Sequence, residues 1–212
     1  MKKFFTAVLA GAMMLIGTSA FAQASLGAGY VYGKTNIDVN ILSILTSEVD
    51  ASLNGFYLGG SYNIPVGTSG LGIAPGLYFS YLTKDNANLA VAEGDLTETY
   101  FTAPIDLNLG VPVGDGLRFI VFGGPTLSYG LTSKVAVPVS GDSKHTYDIY
   151  DGELSNWTKY KNFDVMVGGG VGLDFENMVR FTVGYDYGLL NRGGSTVNVH
   201  RQQLHAGVAF LF

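Results

Sequence analysis

A chain of 212 residues with a formal net charge of −5 has no basic stripe to neutralise phosphates, so its composition argues against nucleic-acid binding. It contains no cysteine, which excludes disulfides and a lipid-modified N-terminal cysteine. Only 14% of the residues are charged, against about a quarter in a soluble domain. With 30 glycines, 13 tyrosines and 13 phenylalanines, this composition is unusual for a soluble protein.

The N-terminal segment has the pattern of a secretory signal peptide. Lys2 and Lys3 precede an apolar run from Phe4 to Ile16, and Ala20-Phe21-Ala22 supplies small residues for cleavage. The run is shorter than the roughly 20 residues that an anchoring helix needs. We therefore expect residues 1–22 to be a cleaved signal peptide and residues 23–212 to form one domain.

The remaining chain contains eight runs in which large apolar residues alternate with small or polar ones. In one of them Val179, Phe181 and Val183 alternate with Arg180 and Thr182. Lipid offers no partner for free backbone N–H and C=O groups, so alternating strands can cross a bilayer only as a closed barrel. The fold predicted is all-β, an eight-stranded antiparallel up-and-down transmembrane β-barrel. A lipocalin-like soluble barrel would have the opposite parity, with bulky apolar groups inside.

The connections between the runs alternate in length. Short ones are expected around Val66, Pro112 and Asn177, and long ones at 35–52, 84–97, 132–161 and 191–196. This asymmetry is typical of short periplasmic turns and long extracellular loops, and it predicts both termini on the periplasmic side. Aromatic residues gather towards both ends of the outward faces, as expected for interfacial girdles.

The inward parity collects charged residues that we expect to form a polar network inside the barrel, since charges facing a lumen persist only when paired or wet. These residues are Glu98, Asp106, Arg118, Asp164, Asp174, Arg180, Asp186 and His205. A three-residue loop at 176–178 would place Asp174 opposite Arg180, and the turn at 110–116 would bring Arg118 near Asn108 and Asp106. The network could serve as a gate or proton path. An ionic plug is favoured, because eight strands leave room only for their own side chains.

No motif for catalysis, a cofactor or a metal stands out. The segment from Ala28 to Thr35 is close to a nucleotide-binding P-loop, but Ala28 replaces the first glycine and the surrounding pattern is that of a strand. His200 and His205 fall on opposite faces of one strand, which disfavours a shared metal site. The 35–52 connection is rich in apolar residues. It either extends the first hairpin or presents an apolar patch.

The chain resembles the small outer-membrane β-barrel or porin-family proteins, a group that includes OmpX, the transmembrane domain of OmpA and the PorT-like barrels. The resemblance is seen first in the terminal strand. Its residues Leu204, Val208, Phe210 and Phe212 are similar to the signal that the barrel-assembly machinery recognises. Others are the segments that begin at Thr102 and at Phe122, which resemble paired strands of the PorT-like group. The resemblance implies a barrel more firmly than any activity.

The resemblance is compatible with three functions. The leading hypothesis is a non-enzymatic integral outer-membrane protein that acts through its surface loops. The second is a narrow solute channel, and the third is an outer-membrane barrel enzyme. The partners expected are outer-membrane lipid or lipopolysaccharide and the barrel-assembly machinery, with a monomeric state, no nucleic acid and no cofactor.

Overall fold

A computed structural model describes residues 23–41, 45–88, 93–140, 143–151, 160–193 and 197–212. The expected signal peptide, residues 1–22, lies outside the described residues. Within the described ranges no helix is long and apolar enough to cross a membrane. The described chain forms nine strands: β1 Gln23–Ile41, β2 Leu45–Val66, β3 Leu71–Asn88, β4 Glu93–Gly114, β5 Leu117–Ser140, β6 Ser143–Asp148, β7 Phe163–Phe175, β8 Val179–Gly188 and β9 Val197–Leu211.

Eight of these strands close into an antiparallel ring. From β1 to β5, consecutive strands pair with one another. Strand β5 then pairs with β7, β7 with β8 and β8 with β9, and β9 pairs with β1 to close the ring. The short strand β6 is not part of the ring and pairs with residues 134–140 of β5. Closure leaves no unpaired strand edge where the ring meets lipid. The expectation of an eight-stranded antiparallel barrel is confirmed.

Side-chain parity follows the alternation read from the sequence. On β8, for example, Phe181 and Val183 are about half exposed while Gly184 and Asp186 are buried. Aromatic side chains lie side by side on the outer face near the loop end, where Phe56 stacks on Tyr81 with ring centroids 5.6 Å apart. This is the placement expected of rings at a bilayer interface.

The three short connections lie at one end, which we call the turn end. They are the turn at 67–70, the turn at Asp115–Gly116 and the three-residue loop at 176–178, in which Glu176 and Asn177 have positive φ. The second turn lies later than expected, since β4 continues to Gly114 instead of ending near Gly110. Gln23, the first described residue, and Phe212 lie at this end too, where Phe212 N donates to Ala24 O at 2.8 Å.

Much of the sequence expected in long loops is strand. The pairing of β1 with β2 continues without interruption to Ile41 and Leu45, so residues 35–41 and 45–52 of the apolar connection extend the first hairpin. Likewise β3 runs to Asn88 and β4 starts at Glu93. Five strands therefore have 18 to 24 residues, about twice the 9–11 needed to span a membrane. The wall they form projects beyond the aromatic girdle at the loop end.

Candidate functional site

The barrel interior at the loop end is filled by apolar side chains, which we call the apolar plug. It consists of Val31, Leu53, Leu82, Ala87, Leu96, Tyr100, Val135 and Ile149, each at most 2% exposed. The sequence predicts small and polar groups on the inward face of the barrel, and that prediction is wrong at the loop end. The part of the barrel that projects beyond the bilayer has water around it. Packing apolar side chains against one another inside it removes their surface from that water, which is favourable.

Part of the apolar plug comes from a turn that folds into the barrel mouth. After β6 the chain turns inward, and Ile149 N donates to Ser133 O at 2.8 Å. Tyr150 follows, 5% exposed, and its hydroxyl accepts a hydrogen bond from Arg192 Nη2 at 2.7 Å. Gly130 provides the space, since a Cβ there would lie 2.5 Å from Cζ of Tyr150. The Ile149–Tyr150 turn thus closes the loop end from inside.

Two buried arginines border the apolar plug in an arginine–tyrosine cluster, made of Arg192, Arg201, Tyr100 and Tyr150. The Arg201 guanidinium lies 3.4 Å from the centroid of Tyr100, and Arg192 lies 5.7 Å from both tyrosine rings. A guanidinium over an aromatic face gains electrostatic attraction that grows with desolvation. Glu98 compensates charge here, accepting hydrogen bonds from Ser133 Oγ at 2.9 Å and from the Tyr100 hydroxyl.

The environment of this cluster is dry enough to alter the titration of the loop-side tyrosines. Burial raises the pKa of Tyr160 to about 12, and the nearby Glu98 carboxylate adds to the effect. Burial likewise raises the pKa of Tyr150, again with Glu98 as the second cause. Desolvation penalises the charged phenolate, so both side chains remain neutral hydroxyls over the physiological pH range.

Below the apolar plug lies a cavity of about 130 Å³, which we call the lumen chamber. Asp106, Asp186, Gln203 and His205 line it. Asp186 Oδ2 accepts a hydrogen bond from Gln203 Nε2 at 2.9 Å and lies 3.4 Å from His205 Nε2. Asp106 interacts electrostatically with both Asp186 and His205. Together with Arg180, which also lines the chamber, four of the charged residues expected inside the barrel therefore share one space.

At the turn end the expected pair between Asp174 and Arg180 is present. Arg180 Nε donates to Asp174 Oδ1 at 2.6 Å and Nη2 donates to Oδ2 at 2.9 Å, with Asp174 1% exposed. This bidentate geometry is the strongest form of an arginine–carboxylate contact. The three-residue loop fixes it, because the register makes the two residues direct partners across β7 and β8.

Arg118 lies elsewhere than expected. The later turn places it opposite Pro112, and Asn108 pairs with Phe122 instead. Arg118 Nη2 donates to Gly70 O at 3.2 Å, and its side chain covers Gly110. The expectation that Arg118 would meet Asn108 and Asp106 is therefore wrong, since it assumed that β4 ended four residues early. Asn108 Nδ2 donates to Asn63 Oδ1 at 2.7 Å.

Of the remaining expected residues, Val208 borders the lumen chamber, whereas Asp164 and the other assembly-signal residues do not. Asp164, 1% exposed, accepts a hydrogen bond from Leu190 N at 3.3 Å near the loop end. Three residues of the expected assembly signal lie on the outer face of β9 and the fourth follows its end, and all are between 37% and 75% exposed: Leu204, Val208, Phe210 and Phe212. His200 stacks on Tyr187 outside the ring, whereas His205 faces inward, so the two histidines do not meet.

Sequence reasoning missed Arg192, Arg201 and Gln203 as site residues. Arg201 shares the inward parity of Gln203 and His205, so carrying the alternation two residues further would have found it. Arg192 lies after β8, outside any periodic run, and nothing in the sequence indicates that it is buried. Among the described residues, no group of three or more His, Asp or Glu side chains is arranged to hold a metal ion.

A closed antiparallel ring with an apolar outer surface and a charged, filled interior defines a transmembrane β-barrel. Residues 8–212 match the family model described as the outer membrane protein beta-barrel domain. The chain belongs to this family, and its location is the bacterial outer membrane. A comparison with curated proteins gave no match.

Several solved structures are similar to this chain. The outer membrane protein OprG from Pseudomonas aeruginosa is 12% identical over 92% of this chain and 98% of its own, with a TM-score of 0.47. Ail, the attachment invasion locus protein of Yersinia pestis, in complex with the heparin analogue sucrose octasulfate, is 12% identical over 90% of this chain and 99% of its own, with a TM-score of 0.46. The outer membrane enzyme PagL is 10% identical over 87% and 97%, with a TM-score of 0.46.

Proposed function

We propose that this protein is a non-enzymatic, non-conducting outer-membrane barrel that presents its projecting loop-end wall as an interaction surface. The observation that carries the proposal is the apolar plug. Leu53, Leu82 and Val135 are at most 1% exposed in the barrel mouth, and the Ile149–Tyr150 turn packs over the same space. A hydrated ion entering this region would lose its water without gaining a polar partner.

The projecting wall supports the interaction role. Anchoring in the bilayer does not need strands of this length. The interior of the wall is packed with buried apolar side chains. We place the loop end outside the cell and the turn end with both termini in the periplasm, following the usual asymmetry of such barrels. In this proposal residues 1–22 are removed on export.

The proposal includes partners in the membrane. The outward belt contacts outer-membrane lipid or lipopolysaccharide, and the exposed faces of Leu204, Val208, Phe210 and Phe212 are read by the barrel-assembly machinery. One chain suffices to form the closed barrel, and we propose a monomer as the functional unit. Nucleic acid and cofactors have no part in the proposal. The interior polar network that fixes the barrel consists of Glu98, Asp106, Asp164, Asp174, Arg180, Asp186 and His205, with Arg118 at the turn end.

Single-channel recording tests the proposal. The protein is refolded in detergent, checked for heat-modifiable gel migration and inserted into planar bilayers, with a general porin as the positive control. We expect no stepwise current, since the apolar plug blocks the loop end. Reproducible current steps from folded protein would contradict the proposal and favour a narrow solute channel.

A further inference from the structure

Three prolines interrupt the backbone pairing of neighbouring strands in one part of the barrel wall. They are Pro75 in β3, Pro104 in β4 and Pro125 in β5. Between β4 and β5, for example, the pairing stops at Pro104–Thr126 and resumes at Leu107–Gly123. A similar interruption lies beside Pro75 between β2 and β3, and another beside Pro104 between β3 and β4. We call this line of interruptions the proline seam.

The proline seam leaves backbone carbonyl groups without their partners across the strand pair. A proline has no N–H, so the carbonyl directly opposite its nitrogen receives no hydrogen bond from it. The register on either side of each interruption assigns these carbonyls to Tyr62, Gly76 and Ile105. Lipid supplies no donor that could replace the missing hydrogen bonds. The wall is therefore held together less firmly along the seam than in its fully paired parts.

The proline seam lies in the hydrocarbon part of the wall. On the outer face near the loop end, the rings of Phe79 and Phe101 contact each other with centroids 5.6 Å apart. Pro75 and Ile105 each lie four residues nearer the turn end than one of these rings, which is about 13 Å of strand. Both side chains are exposed on the outer face, as is Pro125. The outer side of the seam thus faces acyl chains.

The lumen chamber lies directly behind the proline seam. Its lining includes Ser61, Ala74, Pro104, Asp106 and Thr126, each of which is in or next to an interrupted pair. The chamber volume of about 130 Å³ is room for roughly ten water molecules, or for one small organic molecule. At the seam, a single layer of incompletely bonded strands therefore separates the lipid from a cavity.

The lining of the lumen chamber suits a small uncharged amphiphile. Ile120 and Phe122 supply apolar surface, and the hydroxyl groups of Ser80 and Thr102 supply hydrogen-bonding positions. Arg180 lines the same space, but its guanidinium is engaged by a carboxylate in a bidentate pair. A molecule that arrives through the hydrocarbon must also be uncharged, because a bare charge is strongly disfavoured there.

We propose that the wall opens at the proline seam and admits small uncharged amphiphiles, with an apolar body and one hydroxyl group, from the bilayer into the lumen chamber. Opening breaks fewer hydrogen bonds here than in a fully paired wall of the same length, because the prolines have already removed three. The apolar plug closes the loop end, so this route is not a channel across the membrane. The inference goes beyond the proposed surface function and does not depend on it.

An NMR titration of the full chain, refolded into lipid nanodiscs, tests for binding in the chamber. Benzyl alcohol is added while the methyl signals of Ile120 and the backbone amide of Thr102 are followed. Sodium benzoate is the reference, since it has the same ring but carries a charge. We expect a saturable shift with the alcohol and none with benzoate. No saturable shift with the alcohol would overturn the binding site, and equal shifts with both compounds would overturn the route through lipid.

A double variant tests the opening itself. Pro75→Val combined with Pro125→Val restores two N–H donors, and both side chains face lipid, so the chamber lining stays unchanged. We expect entry of benzyl alcohol, measured from NMR line shapes, to slow about tenfold while its dissociation constant stays the same. Pro138→Val, on the part of β5 that pairs with β6, is the matched control and should leave the entry rate unaltered. An entry rate in the double variant equal to that of the unaltered protein would overturn the lateral opening.

Discussion

Asp174→Asn is expected to lower the free energy of unfolding by about 3 kcal/mol, the lower end of the range for removing one partner of a buried ion pair. The Arg180 side chain is only 14% exposed and would keep its charge with no carboxylate beside it. We use the lower end because that residual exposure lets water reach the guanidinium. Urea unfolding in lipid vesicles, followed by tryptophan fluorescence, measures the change.

Two further variants separate the pair from simple loss of an acid. Asp174→Asn combined with Arg180→Met removes both charges, and we expect it to recover most of the lost stability. Lys144→Gln breaks an exposed pair of similar length, 2.5 Å to Asp95, and is expected to leave the unfolding midpoint unchanged. Equal losses in Asp174→Asn and Lys144→Gln would show that the buried pair has no special role.

Gly184→Ala is expected to cost about 1 kcal/mol, the lower end of the range for overpacking, by forcing the His205 ring to move. A Cβ at this position would lie 2.5 Å from Cε1 and 2.6 Å from Nε2 of His205. The imidazole lines the lumen chamber and can shift into that space, which keeps the cost small, while the rings of Tyr57 and Phe122 lie 6.2 and 6.4 Å away. The same urea unfolding experiment reports the loss.

A double-mutant cycle tests the stated cause of that loss. His205→Ala removes the ring that a methyl group at 184 would strike, so adding it to Gly184→Ala should restore stability towards that of His205→Ala alone. Gly114→Ala serves as the control, because the nearest atom to its Cβ would be 3.9 Å away. Strictly additive losses in the cycle would contradict a direct clash.

The sequence predicted the ring, its parity and the pair between Asp174 and Arg180, because each depends on local rules. Alternation assigns faces within a strand, and a three-residue loop fixes the register on either side of it. The predicted neighbours of Arg118 were wrong for the same reason, because they depended on the exact position of the turn between β4 and β5.

The loop-end wall could not be predicted in this way. At Leu131 a bulge in β5 reverses the parity, which turns Ser133 and Val135 into the barrel and sends Lys134 out. Polar segments such as 84–88 still pair as strands, because the backbone hydrogen bonds do not depend on side-chain polarity. The Ile149–Tyr150 turn enters the mouth through contacts distant in sequence, which no periodic pattern encodes.

Site-directed spin labelling along β8 tests the central claim, which is that bulky apolar residues face lipid while small and charged ones face a closed interior. The chain has no cysteine, so single variants at Phe181, Thr182 and Val183 each carry one label. In liposomes we predict high accessibility to oxygen, which partitions into lipid, at 181 and 183, and low accessibility at 182. A label at 182 that collides with oxygen more often than its two neighbours would contradict the account.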